Sequence, residues 1–376
     1  MTTRPLVKSA GLQVRPILLL SACFTLSTWA CAPDEATQPS AETSPTLSAA
    51  SAVTYTARDL GTLGGTRAGA TDINNAGIVV GSSTTREGTV HAFRWKRGVM
   101  TDLGTLGGSN SSAEAINNEG VVVGWSQTTR GTERAVRWKD GVKRNLGTLG
   151  GRNSRANEIN AFGWVVGWSQ TASGETHAFL WKNGVMTDLG TLGGPVSVAT
   201  AISRNGVVVG YSTKTAAGLA KEYPFRWKDG RMRELPSTGG RYTIPNDINS
   251  IIVGTGEPED VDDSGGGDFS DAVIWTNGVL TDLGRMGGAY ARANGVNADG
   301  LVAGHIDHNP PDCVWEDAFV WNQGNVTLLP RLGGQNSVAG ASAINLAGQV
   351  AGFSETDIGS GDCTLGEVHA VLWTPN

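Results

Sequence analysis

The sequence predicts an all-β fold: seven copies of one small antiparallel sheet arranged in a ring. Three observations carry that prediction. The composition is rich in glycine and poor in charge, a motif recurs every 43 to 52 residues, and the two ends of the chain are complementary fragments of that motif.

Glycine accounts for 53 of 376 residues and charged residues for only 17%. Glycine costs about 1 kcal/mol in a helix interior, so a helical bundle or coiled coil is disfavoured. Disorder is disfavoured too, because 12 Trp and 39% hydrophobic residues can build a core. The net charge of −6 excludes a general nucleic-acid binder, which needs a basic surface.

Residues 1–30 read as an export signal. Arg4, Lys8 and Arg15 form a basic start with no acid before Asp34, and residues 16–30 (PILLLSACFTLSTWA) are an apolar run too short to span a bilayer. Ala30-Cys31 suits lipoprotein processing, with Cys31 as the lipidated residue, although Thr28 and Trp29 fit that signal poorly. Leu20-Ser21-Ala22-Cys23 is a cleaner lipobox by composition but leaves a shorter apolar run. Cleavage after Ala32 is the alternative, with Pro33 against it. Residues 31–53 are mostly Ala, Ser, Thr, Pro and Glu, a flexible tether that holds a folded domain clear of a membrane. Without residues 1–30 the chain has 26 basic and 35 acidic residues, a net of −9.

From residue 54 the chain repeats itself. Leu-Gly-Thr-Leu-Gly-Gly stands at 60–65, 103–108, 146–151 and 189–194, with weaker copies at 236–240, 283–288 and 330–334. After each comes Ile-Asn or a variant, ending at Asn74, Asn117, Asn160, Ser203, Asn249, Asn297 and Asn345. A Val-Gly or Ala-Gly pair follows, ending at Gly81, Gly124, Gly167, Gly210, Gly254, Gly304 and Gly352. A Trp then closes each unit's third apolar run, from Trp95 to Trp373. In unit two the β-like runs are Ser112–Ile116, Val121–Ser126, Arg134–Trp138 and Val142–Leu146, with turns at Asn117-Asn118-Glu119-Gly120 and Lys139-Asp140-Gly141. Four short strands per unit at this period predict the blades of a β-propeller.

His91-Ala92-Phe93-Arg94-Trp95 and His177-Ala178-Phe179-Leu180-Trp181, each followed closely by Gly-Val-Met-Thr-Asp-Leu-Gly-Thr-Leu-Gly-Gly, resemble the HAF repeat of bacterial extracellular repeat proteins. The likeness covers about residues 54–376. The other units depart from it, reading Arg134-Ala135-Val136, Tyr223-Pro224-Phe225, Asp271-Ala272-Val273, Asp317-Ala318-Phe319 and His369-Ala370-Val371. The resemblance names a repeat and carries no catalytic residue across.

Ring closure follows from the ends. Unit seven stops soon after Trp373 without a fourth strand, while Tyr55–Gly61 is a fourth strand without its first three. The expected fold is therefore a seven-bladed β-propeller with four-stranded blades, closed by the N-terminal strand, which leaves no exposed edge. An open solenoid of the same units is the rival.

Loop lengths distinguish two faces. The Trp lies three residues after the Ala or Pro of the third strand in every unit, and in the first six units 13 residues before the second glycine of the next Gly-Gly. The link between second and third strands varies: Gly81 to Ala92 is 11 residues, but Gly254 to Ala272 and Gly352 to Ala370 are each 18. Insertions confined to one side mark either a binding face or loops that tolerate length. The first strands should line the central channel. Thr71, Glu114, Asn157, Thr200, Asn246, Asn294 and Ser342 form one polar ring there, and Asp72, Glu158 and Asp247 punctuate a second ring of small residues. They are the candidate ligand or cation positions at the channel mouth; hydrogen bonding to water and to neighbouring blades is the competing role. Trp125, Trp168, Tyr211 and Phe353 share a position beside the variable link, where they either stack on sugars or pack in the core.

Asp260, Asp262, Ser264, Asp268 and Asp271, with Gly265 at the turn, offer oxygens at the spacing of a Ca²⁺ loop, without flanking helices. A solvated acidic insertion is the alternative. Cys313 and Cys363 fall in equivalent links of units six and seven and are expected to form a disulfide after export. His305, His308, Asp307 and Asp312 share one loop, where a metal or acid–base site is one reading and a plain polar loop is the better one. No Gly-x-Ser-x-Gly elbow, phosphate loop or His-Glu-x-x-His is present. The expectation is thus a monomeric, non-catalytic module outside the cytoplasm. It would bind a protein or glycan, touching a membrane only through its lipid. The alternative is a hydrolase or lyase acting at the channel mouth.

Overall fold

The computed structural model describes residues 53–215, 221–259, 269–308, 315–333, 337–356 and 366–376. The export signal, Cys31, nearly all of the tether, Asp260, Asp262, Ser264, Asp268, Asp312, Cys313 and Cys363 lie outside these residues. Among the described residues every regular element is a strand, and there is no helix. Five antiparallel sheets each hold four consecutive strands, and one eight-stranded sheet contains strands from both ends of the chain.

Unit two shows how the sequence builds a sheet. Its strands are Gly107–Ile116, Val122–Thr128, Glu133–Lys139 and Val142–Asn145. Asn117 makes the first turn by accepting the amides of Glu119 at 3.1 Å and Val121 at 3.0 Å through its side-chain oxygen. Asp140 and Gly141 both have positive φ, 51° and 79°, as a type I′ hairpin requires. The first strand starts five residues before the Ser112 expected from sequence. Gly107, at φ 102°, already pairs with Thr128, although the run Gly-Gly-Ser-Asn reads locally as loop.

Each first strand carries one irregularity at the same place. The register slips by a residue at Ala70/Asp72, Ala113/Ala115, Ala156/Glu158, Ala199/Ala201, Pro245/Asp247, Ala293/Gly295 and Ala341/Ala343. Such a bulge leaves one residue unpaired and re-aims its side chain. The repeated Val-Gly glycine follows from close approach of the two strands: a Cβ on Gly124 would sit 2.1 Å from the carbonyl oxygen of Ser112.

The core lies between consecutive sheets. Ile78, Val80 and Ala92 of unit one pack with Ala113, Ile116, Val136 and Trp138 of unit two. Trp275 and Trp373, fully buried, donate their indole N–H to the carbonyls of Pro236 at 2.8 Å and Pro330 at 2.7 Å, each in the link from the preceding unit. At the chain ends, Tyr55–Gly61 runs antiparallel to Val368–Pro375, from Tyr55 opposite Pro375 to Gly61 opposite Ala370. Leu60 there joins Trp95, Ala351, Ala370 and Leu372 in one apolar cluster. The first strands neighbour one another in series, and Ala339–Ile344 also lies beside Gly64–Ile73.

Candidate functional site

The residues left over by the seven bulges are Thr71, Glu114, Asn157, Thr200, Asn246, Asn294 and Ser342, the polar ring singled out from sequence. Their placement gives them a shared task. Thr71 Oγ1 donates to Ala113 O at 2.9 Å, Asn157 Nδ2 to Ala199 O at 2.8 Å and Thr200 Oγ1 to Pro245 O at 2.5 Å. Asn246 Nδ2 donates to Ala293 O at 2.9 Å and Asn294 Nδ2 to Ala341 O at 2.8 Å. Each bond runs from one unit to the carbonyl preceding the bulge of the next. Glu114 departs from this pattern: burial pushes its carboxyl up, against hydrogen bonds from Ser112 and Trp125 and the charge of Arg155. Ser342 Oγ is buried with no partner among the described residues.

Asp72, Glu158 and Asp247 sit one residue further on, in alternate units. Asp72 Oδ1 accepts the amide of Ile73 and Oδ2 that of Ile116 in the next unit, both at 2.7 Å. Asp247 repeats the arrangement, with Ile248 at 2.6 Å and Val296 at 2.8 Å. Glu158 Oε1 accepts Ile159 N at 2.7 Å. One carboxylate has two oxygens and so serves two bulges, which accounts for Ala115 and Gly295 in the units between. Burial pushes Asp72 up to about 7, with the charge of Asp247 adding to it. Burial and the charges of Asp72 and Asp247 hold Glu158 well above the carboxylate range, and burial also raises Asp247. The three groups therefore sense one another across the space enclosed by the first strands.

The remaining candidates separate. Asp271 is buried at the position of the motif histidine and accepts Arg285 Nε at 3.3 Å; burial pushes it up to about 6. Trp125 has one ring face covered by the Arg155 guanidinium, 4.3 Å from the centroid, and Arg155 also grips both oxygens of Glu133 at 2.7 and 2.8 Å. Tyr211 is buried. His305, Asp307 and His308 belong to the strand Val302–His308, correcting the loop expected there. Glu316, which no motif flagged, lies opposite Asp307 on the neighbouring strand Trp315–Asn322. Its signal in the sequence is faint, since Glu133 and Glu222 hold the same repeat position.

No family model and no curated protein matches the chain. Solved structures do. The β-propeller domain of the Trilobed protease from Pyrococcus furiosus, which has an open velcro topology, is similar over 81% of this chain and 95% of its own, at 11% identity and a TM-score of 0.52. Pyrococcus horikoshii acylaminoacyl peptidase is similar over 79% of this chain and 50% of its own, at 12% identity and 0.49. TolB from Acinetobacter baumannii is similar over 68% of this chain and 67% of its own, at 12% identity and 0.40. At 11% identity the likeness to the Trilobed protease domain speaks for fold alone. Sheets of four antiparallel strands, packed face to face with their first strands adjacent, define a chain of the β-propeller class.

Proposed function

We propose that this chain is an exported, surface-displayed, non-catalytic β-propeller that binds a protein or glycan through the face of its variable links. The observation that carries the reading is the fate of the inner polar ring. Five of its seven side chains are committed to bonds between units, so length variation on one face is where the units differ most. The ring is read as seven blades of the HAF-repeat kind, with the eight-stranded sheet as the first and last blades joined by the bridge between Arg67 and Val368. Supporting closure, Asn74 Nδ2 donates to Asn117 O at 3.1 Å, Asn117 to Asn160 O at 3.3 Å, and Asn345 back to Asn74 O at 3.1 Å. A lipid on Cys31, Ca²⁺ in the 260–271 loop and a Cys313–Cys363 disulfide complete the proposal. The competing reading, a hydrolase or lyase at the channel mouth, draws on the raised Asp72 carboxyl.

A glycan array run beside a binding screen against purified envelope proteins tests the reading. The control is a variant whose 18-residue links in units five and seven are cut to the 11 residues of unit two. Loss of binding with the melting temperature retained supports it; undiminished binding by the shortened variant overturns the choice of face.

A further inference from the structure

Unit six departs from its neighbours on the variable-link side. His305 stands where units two, three, four and seven carry Trp125, Trp168, Tyr211 and Phe353. One nitrogen of His305 and one oxygen each of Asp307 and Glu316 lie within 4.8 Å of one another. His305 and Glu316 are buried and Asp307 is half-buried. Asp307 Oδ1 is sealed from solvent without a hydrogen-bond partner among the described residues, while a side-chain hydrogen bond joins the same carboxyl to Glu316. A partnerless buried carboxylate oxygen is costly. Two carboxyl groups in contact are eased by a proton or a metal ion between them, in addition to the charge of Arg292, which acts on Asp307 and His305.

We propose that His305, Asp307 and Glu316 hold a divalent transition ion of the Zn²⁺ or Mn²⁺ kind. One imidazole and two carboxylates make a borderline donor set suited to such ions, and three protein ligands leave a coordination position open. The ion takes the place of the proton between the carboxyls. Asn294 tunes the site. Its Nδ2 lies 3.0 Å from His305 Nδ1 and 2.8 Å from Ala341 O. An amide nitrogen only donates, so Nδ1 accepts and Nε2 carries the ring proton in the apo site. Ligation through Nε2 moves that proton to Nδ1 and turns the Asn294 amide away, which weakens binding. Metal-bound histidines normally donate their other N–H to an oxygen. Asn294→Asp supplies that oxygen.

The test is calorimetric titration of the chelator-stripped full chain with ZnCl₂ and MnCl₂, with metal content read after gel filtration. With CaCl₂ present to fill the 260–271 loop, wild type should bind one Zn²⁺ or Mn²⁺ per chain. Glu316→Gln and His305→Phe, the latter restoring the aromatic of other units, should weaken binding at least about tenfold, and Asn294→Asp should tighten it about tenfold. Melting curves of the metal-free variants identify any that fail to fold, and Asn294→Asp gives a change of opposite sign that unfolding cannot mimic. Absence of binding up to about 1 mM of either ion overturns the proposal. So does binding that persists undiminished in folded Glu316→Gln and His305→Phe.

Discussion

His369 Nδ1 lies 2.8 Å from Asp59 Oδ2, although 310 residues separate them. The contact repeats that of His91 with Asp102 at 2.8 Å in unit one and of His177 with Asp188 at 2.7 Å in unit three. Asp59 Oδ1 also accepts the amide of Gly61 at 2.7 Å, as Asp102 Oδ1 accepts Gly104 at 2.6 Å. Asp59 thus does for the last unit what the fourth strand's aspartate does elsewhere. The motif histidine is a packing residue with a partner, and where Asn145 or Leu328 replaces the aspartate, Arg134 or Asp317 replaces the histidine.

The carboxylates of the inner strands are structural clamps in this account. Asp72→Ala should leave the bulge amides of Ile73 and Ile116 without acceptors and cost about 2–4 kcal/mol. Urea unfolding measures it, and a loss below about 0.5 kcal/mol would contradict the clamp.

Much of this architecture was legible in the sequence, because each feature has a local cause. Asp140-Gly141 dictates a tight hairpin, the Val-Gly glycine marks a close approach, and the Trp spacing marks the seam between sheets. The bulges were not legible. Thr71 and Asp72 read as successive channel-facing residues, and nothing local shows that one is extruded toward the next unit while the other straddles two amides. Asp307 and Glu316 are nine apart in sequence and meet only through strand pairing, so no spacing rule finds them.

The inner carboxyls also fix a pH dependence. The folded-state value of Asp72 is raised to about 7, and Glu158 and Asp247 move the same way. A raised value means the folded chain keeps a proton that the unfolded chain releases near 4. The stability contributed is complete below about pH 4 and is lost as pH rises through about 7. The urea midpoint should be higher near pH 5 than near pH 8, and Asp72→Asn should shrink the difference; an unchanged difference in that variant would assign the effect elsewhere.

Asn157 and Ser342 occupy the same bulge position with opposite outcomes. Asn157→Ala removes a 2.8 Å bond to Ala199 O and should cost about 1–2 kcal/mol. Ser342→Ala removes a buried hydroxyl with no partner among the described residues and should be neutral or slightly stabilising. Thermal denaturation of the two variants side by side checks the contrast, and equal losses would show that the ring does not act through bonds between units.

The central claim is a ring whose last sheet is completed by the first strand. The direct measurement is the melting temperature of a chain lacking residues 53–61, compared with the intact chain. Removal strips Val368–Pro375 of its outer partner and takes Leu60 from the cluster it shares with Trp95 and Leu372. A closed ring predicts a fall of about 10 °C or more in a single cooperative transition. A truncated chain that melts at the same temperature as the intact one would contradict closure and favour an open array of the same units.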